Sequence, residues 1–430
     1  DSAESVQPLK IPRLSENKYT IPFGEHVIVL PDGRKLKLNI AAFMDIGGGQ
    51  EQQDSVIYIN IQQLLPGYTG LPIIIWGIAD GHGNLGKRAS NFLIDFLTNY
   101  FVSNIEQMQE ESSIKICVSN CFREAHNSMR EHFKRIMTEE QRHIVTEHLS
   151  GTDQCYLTSR ANIYTVDRLV AAGSTLTLSI LVGFNLYTAN VADSDSILGT
   201  SAPVLEKKMC RFLCDATIPE AADGAHDQDP DEIKTDTLQL NSSHSPEDIE
   251  EYNRVTGNGT LVNRLLFEFQ PLPRVPLQHV NLYYRNENGE IIKRNRGGFY
   301  KNKQNTWATL VKEPIPKYFK SLAFTRSIGD HYLHHFGLTF LPTIKVTNLL
   351  TVFETSDHMC FNLVASDGLC DNQASINDVT KFIMEKYSET SNIESIITDI
   401  MNKNEADSRE NFGSAADNAS GILVLFTIET

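Results

Sequence analysis

In the stretch Ile73-Ile-Ile-Trp-Gly-Ile-Ala-Asp80-Gly-His-Gly83, a compact apolar run stops abruptly at a polar turn. The run has strand length and no helical period, so it predicts a buried strand. Its end delivers a carboxylate, an imidazole and two glycines to one place, and such turns are where chemistry concentrates.

Downstream of this turn the period changes. Phe92, Leu93, Phe96, Leu97, Tyr100 and Phe101 recur at helical spacing, as do Ile114, Cys117, Val118, Cys121, Phe122, Ala125, Met129 and Phe133. Two amphipathic helices with a core-facing stripe follow from that spacing. From Thr175 the pattern becomes β-rich: Thr175 to Val182 and Asn185 to Val191 flank Gly183-Phe184 and read as a hairpin that ends at Asp193-Ser194. Two further apolar strands are expected, Met359 to Ala365 ending at Asp367-Gly368, and Gly421 to Ile428 beginning just after Asp417-Asn418.

Asp80, Asp193, Asp367 and Asp417 therefore all stand at the ends of short apolar strands. Taken singly, each reads as a turn residue, because Asp-Gly and Asp-Asn stabilise turns by local hydrogen bonds. Taken together, they form a cluster if the strands lie side by side, and a cluster of carboxylates repels itself unless a cation is present. Carboxylate and carbonyl oxygens are the ligands that Mg²⁺ and Mn²⁺ prefer.

Several segments, in order, resemble the protein phosphatase 2C family. Asp80-Gly-His-Gly83 is similar to its Asp-Gly-His-Gly signature, and Gly173-Ser-Thr175 with Ala189-Asn-Val-Ala-Asp193-Ser194 to its next two strands. His244-Ser-Pro246 with Glu250-Glu251, Leu322-Ala-Phe-Thr-Arg-Ser-Ile-Gly-Asp330, Asp367-Gly368 and Asp417-Asn418 continue the series. The resemblance runs from about residue 40 to the C-terminus. It implies an α+β fold in which two packed antiparallel β-sheets form a β-sandwich flanked by helices on both outer faces. It also implies hydrolysis of phosphoserine and phosphothreonine in proteins, with two Mg²⁺ or Mn²⁺ ions per chain and a third, weaker site.

By the same resemblance Asp80 bridges the metals, the carbonyl of Gly81 binds one of them, and Asp367 and Asp417 hold the other. Asp193 matches the aspartate of the third site, and Asp54 matches an acidic residue of the first motif. Two metals would activate a water and neutralise charge on the phosphoryl group. His82 would stand as general acid for the leaving oxygen, since an imidazole titrates near neutrality.

The first motif departs from the family pattern. In Asp45-Ile-Gly-Gly-Gly-Gln-Glu-Gln-Gln-Asp54, Gln53 takes the place of a glutamate, and Gly49 or Gln50 that of a phosphate-gripping arginine. A neutral side chain cannot reproduce that bidentate, charged grip. Arg88 or the cluster Lys293, Arg294, Arg296, Lys301 and Lys303 are the candidate replacements. Two readings follow, a working phosphatase and a pseudophosphatase that serves as a scaffold or regulatory partner.

Composition sets outer bounds. The chain has 430 residues and a net charge of −16, against the clustered basic surface that nucleic acid requires. No run approaches the ~18 apolar residues of a spanning helix, so an integral membrane protein is not expected. The scattered cysteines form no zinc knuckle, and a reduced, intracellular setting, cytoplasmic or nuclear, is expected. A phosphoprotein substrate or a protein partner is implied. Residues 1–39 read as an N-terminal lead-in and 40–430 as one phosphatase-like domain, with an acidic loop at about 215–236 and an inserted flap at about 257–318.

Overall fold

The computed structural model describes residues 18–29, 33–49, 51–148, 155–161, 168–200, 210–212, 236–256, 265–270, 278–279, 283–287, 291–293, 299–301, 306–314, 317–318, 320–355, 359–372 and 376–429. Among these, two antiparallel sheets pack face to face. The first runs Lys18–Val29, Lys35–Asp45, Ala419–Glu429, Met359–Ala365, Asp195–Thr200 and Asp236–Gln239 in spatial order. The second runs Cys210–Phe212, Thr343–Asn348, Asn185–Val191, Leu176–Val182, Ile73–Gly83, Ala172–Ser174 and Ile328–Gly329, and Asp54–Asn60 also pairs with Ile73–Gly83. The expected hairpin is present, with Asn185 opposite Val182.

Strand alternation makes the layers. In Lys35–Asp45, Leu36, Leu38, Ile40 and Ala42 face the other sheet, whereas Ala41 and Phe43 face outward. In Ile73–Gly83, Ile74, Trp76 and Ile78 point into the sandwich while Ile73 and Ile75 point away from it. The outward residues of the second sheet are covered by the helices Gly86–Ser103 and Glu111–Glu139, through Leu93, Leu97, Val118 and Phe122. Those of the first sheet are covered by Ile376–Glu389 and Ile393–Asn411, through Ile383, Ile396, Ile397 and Ile400. The α+β sandwich with helices on both outer faces is thus the observed architecture.

A polar contact between Trp76 and Asn362 crosses the buried interface. The Trp76 indole N–H donates to Asn362 Oδ1 at 2.8 Å, and both residues are fully buried. Removing the donor would strand that amide oxygen, at about 1–3 kcal/mol.

Lys18–Val29 lies within the segment read as a lead-in and forms the edge of the first sheet. Pro22 sits there at a break in register, where a missing N–H costs no ladder bond. The described parts of 257–318 build a separate small sheet from Leu266–Gln270, Gln278–His279, Phe299–Lys301 and Thr306–Lys312. Its Phe267 and Val311 pack with Tyr156, Val255 and Tyr332 in their own cluster, outside the sandwich. Residues 215–235 of the acidic loop, with Arg294, Arg296 and Lys303, lie outside the described residues. Among the described residues no helix is long and apolar enough to cross a membrane.

Candidate active site

Register brings the strand ends together. Asp195 pairs with Ala365, Ala365 with Gly421, and Gly421 with Phe43, so Asp193, Asp367 and Asp417 emerge at one end of the first sheet. In the second sheet Asp54 stands opposite Asp80. The two sheet ends meet in a cleft of ≈ 470 Å³ lined by Asp80, Gly81, His82, Asp193, Asp367 and Asp417, together with Gln53, Asp195, Asp371 and Asn418.

Close backbone packing fixes these turns. Thr175 holds Asp80 at both backbone groups: its Oγ1 accepts from the Asp80 N–H at 2.9 Å and its own N–H donates to the Asp80 carbonyl at 2.8 Å. A side chain at Gly81 would meet the Gly86 carbonyl at 2.1 Å, and one at Gly368 the Asn418 carbonyl at 1.9 Å. The glycine run of the first motif has the same cause, because a Cβ at Gly47, which has φ +63°, would lie 2.0 Å from the carbonyl of Asp417. Asn418 ties the motif down, accepting from the Gln53 N–H at 2.7 Å and donating to the Ile46 carbonyl at 2.8 Å.

The electrostatics of the cleft are those of crowded, desolvated carboxylates. Burial, then the charges of Asp54, Asp367, Asp417 and Asp193, raise Asp80 well above the usual range. Burial, then Asp371, Asp193, Asp417 and Asp54, do the same to Asp367. Burial pushes Asp54 up to about 6 against hydrogen bonds from Ser420 and Ser366, and Asp193 up to about 7. Among the described residues no three His, Cys, Asp or Glu side chains already stand in the arrangement of a cation site. The donor set nonetheless fits a hard cation: Asp54 Oδ1 and Asp367 Oδ1 are buried without a hydrogen-bond partner. Unsatisfied buried oxygens of this kind are what an oxygen-seeking divalent ion would satisfy.

Sequence reasoning left the partner of His82 unassigned. His82 Nε2 lies 2.6 Å from Asp330 Oδ2, and Phe324 packs edge-on against the ring at 5.1 Å. Burial works against the charged imidazole, but the Asp330 carboxylate outweighs it and raises His82 above its ordinary value. Asp330 adopts a left-handed backbone with φ +44°, anchored by its N–H to the Ala172 carbonyl at 2.9 Å. A Cβ at Gly173 would lie 2.2 Å from Asp330 Oδ2 and 2.8 Å from His82 Nε2, so the glycine makes room for the pair. Asp330 closes the Leu322–Asp330 segment, which was the signal available in the sequence.

Arg88 stands elsewhere. It lines a separate concavity on the helical layer with Phe92, Phe96, His132 and Arg135. Lys293 is paired with Glu247 at 2.7 Å. Among the described residues, none of those lining the aspartate cleft is a lysine or arginine.

Residues 228–409 match the family model of protein phosphatase 2C. No curated protein matches the chain. Among solved structures it is similar to a serine-threonine phosphatase 2C from Toxoplasma gondii, at 16% identity and a TM-score of 0.54, over 95% of this chain and 99% of that one. It is also similar to a C. elegans sex determining protein, at 15% identity and a TM-score of 0.51, over 90% of this chain and 64% of that one. Both likenesses are likenesses of fold. Residues 228–409 are thus similar to the protein phosphatase 2C family, and the fold of a protein phosphatase 2C extends over nearly the whole length of the chain.

Proposed function

We propose that the chain is a serine/threonine protein phosphatase that depends on Mg²⁺ or Mn²⁺. The observation that carries the proposal is the buried aspartate cluster with its orphaned oxygens on Asp54 and Asp367. Asp80, Asp367, Asp417 and the Gly81 carbonyl would hold two ions, with Asp54 alongside and Asp193 at a third position. When bound, the ions supply an activated water and neutralise charge on the phosphoryl oxygens.

The protein's own residues do the rest. Thr175 and the Gly81–Gly86 contact hold the Asp80 turn rigid. His82, whose charged form Asp330 favours at Nε2, would present Nδ1–H to the leaving seryl or threonyl oxygen. Ser243, Ser245 and Phe324 form the remaining rim against which a phosphopeptide would lie. With no basic side chain lining the cleft among the described residues, ground-state binding of phosphate would rest on the cations, so KM is expected to be high.

A second reading, a catalytically weak partner-binding member, is favoured by two observations. Gln53 replaces the expected glutamate, and among the described residues no arginine or lysine lines the cleft. The test is phosphate release from a phosphothreonine peptide with Mn²⁺ or with chelator, for the wild type and Asp80→Asn. The enzyme reading expects Mn²⁺-dependent release that is lost in the variant. Equal, background-level release in every arm would leave the partner-binding reading.

A further inference from the structure

On the outer helical layer, away from the aspartate cleft, the helices Gly86–Ser103 and Glu111–Glu139 leave a groove of ≈ 570 Å³ between them. Arg88, Phe92, Phe96 and Tyr100 recur every four residues and so form one ridge of the first helix. Phe92 and Phe96 have centroids 5.6 Å apart and Phe96 and Tyr100 5.9 Å, which makes a continuous aromatic floor. His132, from the second helix, stacks on Phe92 at 4.8 Å.

Positive charge gathers at one end. Arg135 donates to His132 Nδ1 at 2.9 Å. Burial first, then the two arginines, lower His132 from its ordinary value, so the charge at this end belongs to the guanidiniums. Among the described residues, Arg130, Arg254, Arg326 and Arg409 each meet a carboxylate, whereas Arg88 and Arg135 meet none. Asp95 and Glu124 line the groove as well.

We propose that this groove docks an extended acidic segment of a partner protein, with carboxylates on Arg88 and Arg135 and an apolar side chain over Phe92 and Phe96. From Arg88 to Tyr100 the ridge spans about 18 Å at 1.5 Å per residue, the reach of five or six residues of extended chain at about 3.3 Å each. Guanidinium forks match carboxylates in shape as well as charge. The chain's net charge of −16 does not forbid this, because charges more than about 8 Å away are largely screened at physiological salt. The docking is independent of whether the cleft is catalytic.

The experiment uses the full chain and fluorescence anisotropy. The probes are fluorescein-labelled hexapeptides in which Asp and Glu flank one Phe, Tyr or Leu, with a matched panel carrying Lys in place of the acids. Acidic members are expected to bind with micromolar to sub-millimolar affinity and the Lys panel not to bind. Affinity should fall about threefold in Arg88→Ala or Arg135→Ala, and roughly thirtyfold in the double reversal Arg88→Glu/Arg135→Glu. Thermal melting and circular dichroism of each variant report on folding. No acidic peptide binding below millimolar concentration, or binding unchanged by the double reversal in a folded variant, would overturn the proposal.

Discussion

Two of the regions in which this molecule buries carboxylates do so in opposite ways. Glu251 is 3% exposed yet accepts from Arg326 Nε at 3.0 Å and from two nitrogens of Arg254 at 3.1 and 2.8 Å, with Thr325 and a second Arg326 nitrogen completing its shell. Burial alone would raise its pKa, but the guanidiniums outweigh burial and hold it well below the usual range. In the cleft, Asp54, Asp80, Asp193 and Asp367 face one another with no lysine or arginine among the lining residues, and all four are pushed upward. A carboxylate whose counter-charge is built into the chain is structural. Carboxylates gathered without one are arranged for a charge that comes from outside.

The largest expected effect lies in the cleft. Asp80→Asn removes the charge at the position proposed to bridge two ions and should lower Mn²⁺-dependent turnover roughly a thousandfold, the several kcal/mol that metal catalysis supplies. Steady-state hydrolysis of a phosphothreonine peptide checks it. Turnover within tenfold of wild type would place the cation elsewhere.

In the paired region the effect should fall on stability instead. Arg326→Met leaves Glu251 buried with one guanidinium and should cost about 3 kcal/mol in urea unfolding, the scale of a broken buried pair. The sign with pH follows from the depressed pKa of Glu251. Its contribution is fully present above the unfolded value of about 4.3 and is lost as pH falls towards the folded value. The variant should therefore lose less stability than wild type between neutral and acid pH, and parallel acid profiles would contradict the assignment.

Adding cation should reverse the contrast. Mn²⁺ at about a hundred times its Kd should stabilise the fold by about 2.7 kcal/mol, read as a rise in melting temperature that Asp367→Asn abolishes. A smaller change is expected from Gln53→Glu. Restoring one negative charge beside the site should lower the Mn²⁺ concentration for half-maximal activity by roughly tenfold, as supporting residues of metal sites do. An unchanged Mn²⁺ dependence would show that the glutamine is neutral in effect.

The strands Ile73–Gly83, Met359–Ala365 and Ala419–Glu429 were legible because each is a compact apolar run bounded by a polar turn, whereas their packing into a sandwich was implied by the family resemblance. The aspartates were legible for the same reason. What escaped was whatever depends on partners far apart in the chain. Asp330 reaches His82 across 248 residues, from a left-handed backbone that is uncommon for any residue but glycine. The strand at Lys18–Val29 was obscured by prolines that an edge tolerates. Arg88 was a candidate to replace the missing phosphate-gripping arginine, but the helix that starts at Gly86 turns it onto the Phe92–Phe96 ridge.

The most direct test of the aspartate cluster as a two-cation site is calorimetric titration of the full chain with Mn²⁺. The account predicts saturable binding of two ions per chain, reduced or abolished in Asp80→Asn and Asp367→Asn and unchanged in Arg326→Met where that variant remains folded. No saturable binding by the wild type, or binding indifferent to both aspartate substitutions, would contradict it.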